Sequence, residues 1–316
     1  MQAPAKHHQA LVSVLMPAFN ASPYLREAID SILAQTYPHF ELIICNDGST
    51  DETAAIAQSF YDPRIVVLHN QNNEGLVFTR NRLVLAAAGP YIAWMDADDI
   101  AKPERLARQV EFLETQAVDL CGTDHISFGV SRKTKRSRGP YHDADIKALL
   151  AIYCPLCNPS VMGKAEVFKQ NPYSADYPVA EDYALWQRLA AQGYRFMNLP
   201  HDLLHYRIHP QQTSQQSETK TRALLVGLQQ SYLRALQINP VLCPKAQPLL
   251  TRIAYAYSLL SQLSERGGRF QFQTALQIYA RYQKKSANPL SRLAMRVERL
   301  VLVTLFLMQL RVIQKK

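Results

Sequence analysis

No stretch of this 316-residue chain reaches the roughly 18 to 20 consecutive apolar residues that a membrane-spanning helix needs. Neither G-x-G-x-x-G nor G-x-x-x-x-G-K-[ST] occurs. Dinucleotide binding of the Rossmann type and phosphate binding by a P-loop therefore lose their usual support. Glycine (11) and proline (18) are too few for a collagen-like or low-complexity chain. Cysteine is scarce and odd in number (Cys45, Cys121, Cys154, Cys157, Cys243). Cys154 and Cys157 have C-x-x-C spacing, but no second pair completes a zinc site, so reduced, half-buried thiols are the expectation. Residues 1–10 are polar and carry no apolar signal core, which predicts a cytoplasmic chain.

What is present is a core. Hydrophobic residues make up 47% and charged ones 19%, which excludes wholesale disorder. The length suits one large α/β domain, or one domain with a smaller appendage. The net charge of +9 is confined to one end. Residues 266–316 hold eleven basic side chains and one acid, leaving −1 for residues 1–265. That placement argues against a nucleic-acid binder and for a neutral body with a basic docking tail.

Along the first 120 residues short apolar runs alternate with helical patterns. Residues 11–16 (LVSVLM), 40–45 (FELIIC), 64–68 (RIVVL) and 91–95 (YIAWM) read as buried strands. Residues 22–35, 51–60, 76–87 and 103–115 repeat apolar positions at three and four and read as helices. Strand-helix repetition of this kind predicts a mostly parallel sheet covered by helices, with ligands beyond the carboxyl ends of the strands. Polar turns collect at those ends: Pro17-Ala18-Phe19-Asn20, Asn46-Asp47-Gly48-Ser49, and Asp96-Ala97-Asp98-Asp99. One acidic turn is usually only a helix cap, and Ser49 or Asp51 would serve as such. Three converging on one edge suggest more. The crowded carboxylates of Asp96, Asp98 and Asp99 call for Mg²⁺ or Mn²⁺.

These residues, in order, resemble family 2 glycosyltransferases of the GT-A fold. The resemblance runs through VSVLMPAFNASPYLREAIDSILAQTYPHFELIICNDGSTDET, NNEGLVFTRNRLVLAAAGPYIAWMDADD, AEDYALWQRLAAQGYRF and LLHYRIHPQQTS, or about residues 11–214. It implies an inverting, metal-dependent transferase moving a sugar from a nucleotide diphosphate, most often a UDP-sugar. On it, Pro17, Phe19 and Asn20 fall on the donor side, and Asp47 accepts a hydrogen bond from uracil. Phe19 stands where the family often has Tyr, and Asn46 where many members have Asp. Arg80 and Asn81 fall near the nucleotide. Asp96 turns to the ribose and Asp98 to the metal, with His209 as a further metal ligand. Of the acid pair opening a helix, Asp182 is expected as the base that takes the acceptor proton, with Glu181 second. Both acids would also suit that helix terminus by dipole alone. Asn158 is carried to the acceptor or the donor sugar, and Trp186 to the acceptor side.

A catalytic domain is expected over residues 1–215 and a helical, basic region over 216–316. Helical periodicity there covers 218–237, 246–264, 270–285 and 289–313. The last of these sets Arg292, Arg296 and Arg299 beside an apolar face, which fits an anionic membrane surface as a peripheral protein or, alternatively, a core or homo-oligomer contact. The acceptor expected is a lipid-linked or surface-polysaccharide glycan. Two rival readings are a nucleotidyltransferase, which wants a basic Gly-rich loop that residues 17–23 lack, and an inactive nucleotide-sugar scaffold, which would have lost its carboxylates.

Overall fold

The computed structural model describes residues 10–130, 134–151, 153–212 and 218–235. It opens with alternating strands and helices: β1 (Val12–Ala18), α1 (Leu25–Leu33), β2 (Phe40–Asp47), α2 (Thr53–Gln58), β3 (Ile65–Asn70), α3 (Leu76–Ala86) and β4 (Tyr91–Trp94). Then follow β5 (Ile100–Ala101), α4 (Arg105–Thr115), β6 (Leu120–Gly129), β7 (Lys135–Ser137) and α5 (Asp143–Leu150). A 3-10 turn at Asn158–Ser160 leads into β8 (Met162–Lys164), α6 (Ala165–Gln170), α7 (Glu181–Ala191), β9 (Phe196–Ile208) and α8 (Glu218–Ala235).

All four strands read from the apolar runs are present. Every residue of β1 is buried, as expected of a strand covered on both faces, and β1 pairs in parallel with β2 on one side and β4 on the other. The nine strands form one sheet in the order β3-β2-β1-β4-β8-β6-β9-β5, with β7 paired to β6. The β2–β3 and β6–β9 pairs are also parallel. β8 runs antiparallel between β4 and β6, so the sheet is mixed but parallel where the first three turns emerge.

Helix α1 covers the first half with Leu25, Ala28, Ile29 and Ile32, each fully buried at three- and four-residue spacing. Burying such side chains contributes about 1.5 to 3 kcal/mol for each large one. Gly48, just after β2, has φ +64°, and a Cβ there would collide with the Asn72–Asn73 backbone. Only glycine lets this turn lie against the segment following β3.

The chain divides into two compact units, residues 1–143 with 154–226 and residues 144–153 with 227–316. In the second, the Tyr232 hydroxyl donates to the Lys147 carbonyl at 3.0 Å. The helix expected at 218–237 is α8. The remaining helices expected in the tail, and its basic apolar segment, lie outside the described residues. No described helix is long and apolar enough to cross a membrane. Cys45, Cys121, Cys154 and Cys157 are free thiols, and burial raises Cys154 and Cys157 well above the ordinary thiol range.

Candidate active site

The turns after β1 and β2 are knitted together. The Asn20 backbone N–H donates to Ser49 Oγ at 3.0 Å, and Asn20 Oδ1 accepts from the Thr50 N–H at 2.9 Å. Asn20 holds φ +47°, a left-handed conformation that asparagine tolerates better than most. Asp51 takes the N–H groups of Ser22 and Thr53, so it serves the entry of α2 and also joins the two turns. Beside them opens a cavity of about 610 Å³ lined by Phe19, Asn46, Gly48, Ser49, Thr50 and residues 69–73. Phe19 is 46% exposed, an aromatic ring presented at the rim.

Asp47 does not line this cavity. Its carboxylate lies beneath the segment after β3, accepting from Asn70 Nδ2 at 2.6 Å and from the Glu74 and Gly75 N–H groups at 2.9 and 3.0 Å. Both oxygens are thus committed to this chain's own donors, and Asn46 is the side chain of that turn that reaches the cavity wall.

The second cluster follows β4. Asp96, Asp98 and Asp99 each offer a carboxylate oxygen within 4.8 Å of the others. β9 comes back to them. The Arg207 N–H donates to Asp99 Oδ1 at 2.8 Å, Arg207 Nε to the Asp98 carbonyl at 2.7 Å, and His209 Nε2 lies 2.9 Å from Asp98 Oδ2. Tyr24, at the mouth of α1, packs on both. Its ring is 4.7 Å from that of His209, and the Arg207 guanidinium sits 4.8 Å above it. Glu27 closes the group as an ion partner of Arg207. Burial pushes the Asp96 carboxyl up to about 6, with Arg80 opposing and Asp98 and Asp182 adding to it. Asp99 is fully buried and raised well above the carboxylate range, first by burial and then by its two neighbours' charge. Its Oδ2 and His209 Nδ1 are buried without a hydrogen-bond partner. Hard oxygens crowded beside an imidazole are a donor set that suits a divalent cation such as Mn²⁺.

The third group stands at the start of α7. Glu181 is buried and its carboxyl is pushed up to about 7 by burial, which outweighs the opposing Arg80. Burial likewise raises Asp182, whose Oδ1 accepts from the Tyr183 N–H at 2.7 Å.

Between the second and third groups lies Arg80 of α3, only 4% exposed. Its Nη2 is 3.7 Å from Asp96 and its Nε 3.3 Å from Glu181. Its neighbour Asn81 pairs reciprocally with the Tyr173 backbone at 2.8 and 2.9 Å, which anchors the segment before α7. Neither residue lines the cavity beside Phe19.

Pro17 is buried inside β1, Phe19 and Asn20 stand at the first turn, and Asp96, Asp98 and His209 come together at the second cluster. Asn158 is buried; with its amide oxygen toward Arg80 it accepts from Nη2 at 3.1 Å. Trp186 is fully buried against Phe168, with ring centroids 6.3 Å apart, and belongs to the core. A large apolar side chain one turn inside a helix is simply what a core requires, and the acidic pair before it says nothing of which way the indole points. Sequence reading passed over Arg207, Tyr24, Tyr173 and His69. Arg207 carried a signal, since it lies two residues before His209 at the end of a strand, where alternate side chains share a face.

Comparison with known proteins gives the family and the fold. The family model described as glycosyl transferase family 2 matches residues 13–171. An uncharacterized glycosyltransferase of Haemophilus influenzae is 35% identical over 225 residues, 65% of this chain and 67% of its own length. WfaP of Escherichia coli, a UDP-Glc:alpha-D-GlcNAc-diphosphoundecaprenol beta-1,3-glucosyltransferase, is 30% identical over 203 residues, 63% of this chain and 78% of its own. Among solved structures, S. aureus TarS 1–349 in complex with UDP superposes with a TM-score of 0.58 at 17% identity, covering 92% of this chain and 88% of that one. The mannosyltransferase PcManGT from Pyrobaculum calidifontis, in complex with GDP-Man and Mn²⁺, gives 0.56 at 19%, covering 95% and 83%. At these identities the two structures speak to the fold, a mixed, mostly parallel sheet flanked by helices, which is the arrangement found here. The chain belongs to glycosyl transferase family 2 and is a glycosyltransferase of the GT-A fold.

Proposed function

We propose that this glycosyltransferase moves a sugar, with inversion, from a UDP-sugar to a hydroxyl of a lipid-linked or surface-polysaccharide acceptor, with a divalent cation at the donor diphosphate. The observation that carries the reading is the convergence of Asp96, Asp98 and Asp99, with His209 already on Asp98. The named donor and acceptor of the E. coli relative, and the UDP and Mn²⁺ of the structural neighbours, support it.

Asp98, Asp96 and His209 would hold the cation, while Asp99, committed to the Arg207 N–H, keeps the turn in place. Mn²⁺ or Mg²⁺ bound there supplies Lewis-acid stabilisation of the nucleoside diphosphate as it leaves. The chain's own residues do the remainder. Phe19, which follows the buried Pro17 of β1, forms the donor-side edge of the first turn and its exposed ring offers a stacking face for a base, while Asn20 holds that turn to Ser49 and Thr50. Asp182 at the start of α7 accepts the proton of the acceptor hydroxyl as that oxygen attacks the anomeric carbon from the face opposite the diphosphate. The bond from the anomeric carbon to the phosphate oxygen breaks as the new glycosidic bond forms. Burial makes Asp182 a stronger base than an exposed aspartate, which suits the task.

Calorimetric titration of the full chain with UDP, with and without Mn²⁺, tests the donor site, with GDP as control and Asp98→Ala as the variant. The expected result is Mn²⁺-dependent UDP binding that the variant loses. A preference for GDP would keep the cation site and overturn the choice of base. Absence of nucleotide binding would leave a scaffold.

A further inference from the structure

We propose that Arg80 is a positioning residue that ties the donor-side carboxylates to the acceptor-side acid pair, through its contacts to Asp96, Glu181 and Asn158. This rests on the transfer reaction proposed above and assigns Arg80 a role other than touching the nucleotide.

Three elements far apart in sequence meet on this one guanidinium. Asp96 follows β4, Glu181 opens α7, and Asn158 lies in the 3-10 turn before β8. Arg80 reaches Asp96 at 3.7 Å, Glu181 at 3.3 Å and the turned amide oxygen of Asn158 at 3.1 Å. Its orientation is fixed by aromatic faces: its guanidinium carbon is 5.0 Å from the Trp94 ring centroid and 5.6 Å from that of Tyr173. Tyr173 is itself held by Asn81, the residue after Arg80, so α3 fixes the cation and one of its covers together. At 4% exposure it has no surface left for a substrate.

A second buried arginine in the same half of the sheet shows what is special here. Arg105 of α4 is also fully buried, yet its hydrogen bonds go to the Trp94 carbonyl at 2.7 Å, to Gln109 at 3.0 Å and to the Met95 sulfur at 3.5 Å. It bonds no carboxylate, and burial lowers it to about 10. Arg80 instead has two carboxylates beside it, Asp96 at 3.7 Å and Glu181 at 3.3 Å. Arg105 supports the backbone just before the aspartate turn. Arg80 is placed where charge on two sides of the reaction must be held at a fixed spacing. Its two carboxylate contacts are longer than the about 2.7–2.9 Å of a direct charged hydrogen bond, so the tie works through charge and stacking. An arginine suits this because its planar fork serves several acceptors while its face stacks; a lysine keeps the charge and loses both.

The test uses the full chain as Arg80→Lys, Glu181→Gln and the double variant, with thermal melting to confirm folding. Binding is read with UDP and Mn²⁺, and turnover as UDP release from UDP-glucose. Arg80→Lys is expected to keep UDP affinity within about fivefold while kcat falls about 30-fold or more at nearly constant KM. The double variant is expected to fall little further than the worse single one, because both remove the same tie. Asn158→Ala, which leaves the cation in place, should show the same split more weakly, and it serves as the second variant should the lysine destabilise the fold. Equal losses in UDP affinity and kcat would make Arg80 a nucleotide ligand and overturn the proposal, as would unchanged turnover or additive losses in the double variant. A wild-type chain that binds no UDP would instead sink the UDP-sugar reading itself.

Discussion

The two polar regions at the carboxyl edge of the sheet are built on opposite terms. The cavity beside β1, β2 and β3 is lined by an exposed ring, amides, hydroxyls and backbone, and no carboxylate lines it: Asp47 accepts from Asn70 and the residue 74–75 backbone instead. The region around Arg80 is closed and charged, and burial raises Asp96, Asp99, Glu181 and Asp182 alike. The first fits recognition, which needs shape and hydrogen bonds that cost little to desolvate. The second fits chemistry, which needs charges held apart from water, where they interact strongly. A substitution at the cavity should therefore change binding, and one at Arg80, Glu181 or Asp182 rate, with the cation-holding Asp98 the point where both meet.

The sharpest break is Asp182→Asn against Glu181→Gln. If Asp182 takes the acceptor proton, its amide should lower kcat about 10²- to 10⁴-fold, while Glu181→Gln should cost less and leave UDP affinity alone. The pH profile sharpens the assignment. A carboxylate raised by burial is protonated over a wider acid range, and the protonated form cannot accept the acceptor's proton. Activity should then be lost as pH falls, along a limb lying above the ordinary carboxylate range, where Glu181 reaches about 7. With Asp182 as base, Glu181→Gln keeps an acid limb because burial still raises Asp182. In that variant an acid limb lying no higher than the ordinary aspartate range would remove Asp182 from the role.

The matching break on the other side is Gly48→Ala. A Cβ at this φ of +64° meets the Asn72–Asn73 backbone, so the wall of the cavity must move. UDP affinity is expected to fall about tenfold, with kcat at saturating donor and the acid limb nearly unchanged. A loss of kcat with affinity intact would show that the two regions are not separable.

The order of strands and turns was open to sequence reading because the physics is local. Residues 11–16 and 40–45 are apolar because they are covered on both faces, and the polar turns must follow where those strands end. The observed β1 and β2 run two residues further, to Ala18 and Asp47, because ladder pairing continues into the turn residues themselves. The cluster of Asp96, Asp98 and Asp99 was legible for the same reason: three acids in four residues have nowhere to separate. What was not legible is direction and long-range pairing. Nothing in Asn46-Asp47 says that the aspartate turns under the sheet edge to hold residues 74 and 75 while the asparagine faces the cavity. Nothing in Arg80 says that it is enclosed by Trp94 and Tyr173. Those facts depend on residues from other elements that the fold brings in.

Trp186 sets the smallest expected effect on rate, and by that smallness marks where the charged region stops. It lies four residues past Asp182, which invites an acceptor-side role, but it is fully buried and packs edge-on against Phe168, itself edge-on to Trp94. Those three rings pack edge to face in one buried row. Trp186→Phe keeps an aromatic ring and removes volume, and it discards an indole N–H that has no partner. Stability should fall by about 1 to 3 kcal/mol, the range for a core volume change, read as a lower denaturant midpoint. At a temperature where the variant is fully folded, kcat/KM for the acceptor should stay within about threefold, since the ring is fully buried. A tenfold rise in acceptor KM with stability unchanged would place the indole in the acceptor site and extend the functional region one helical turn deeper into α7.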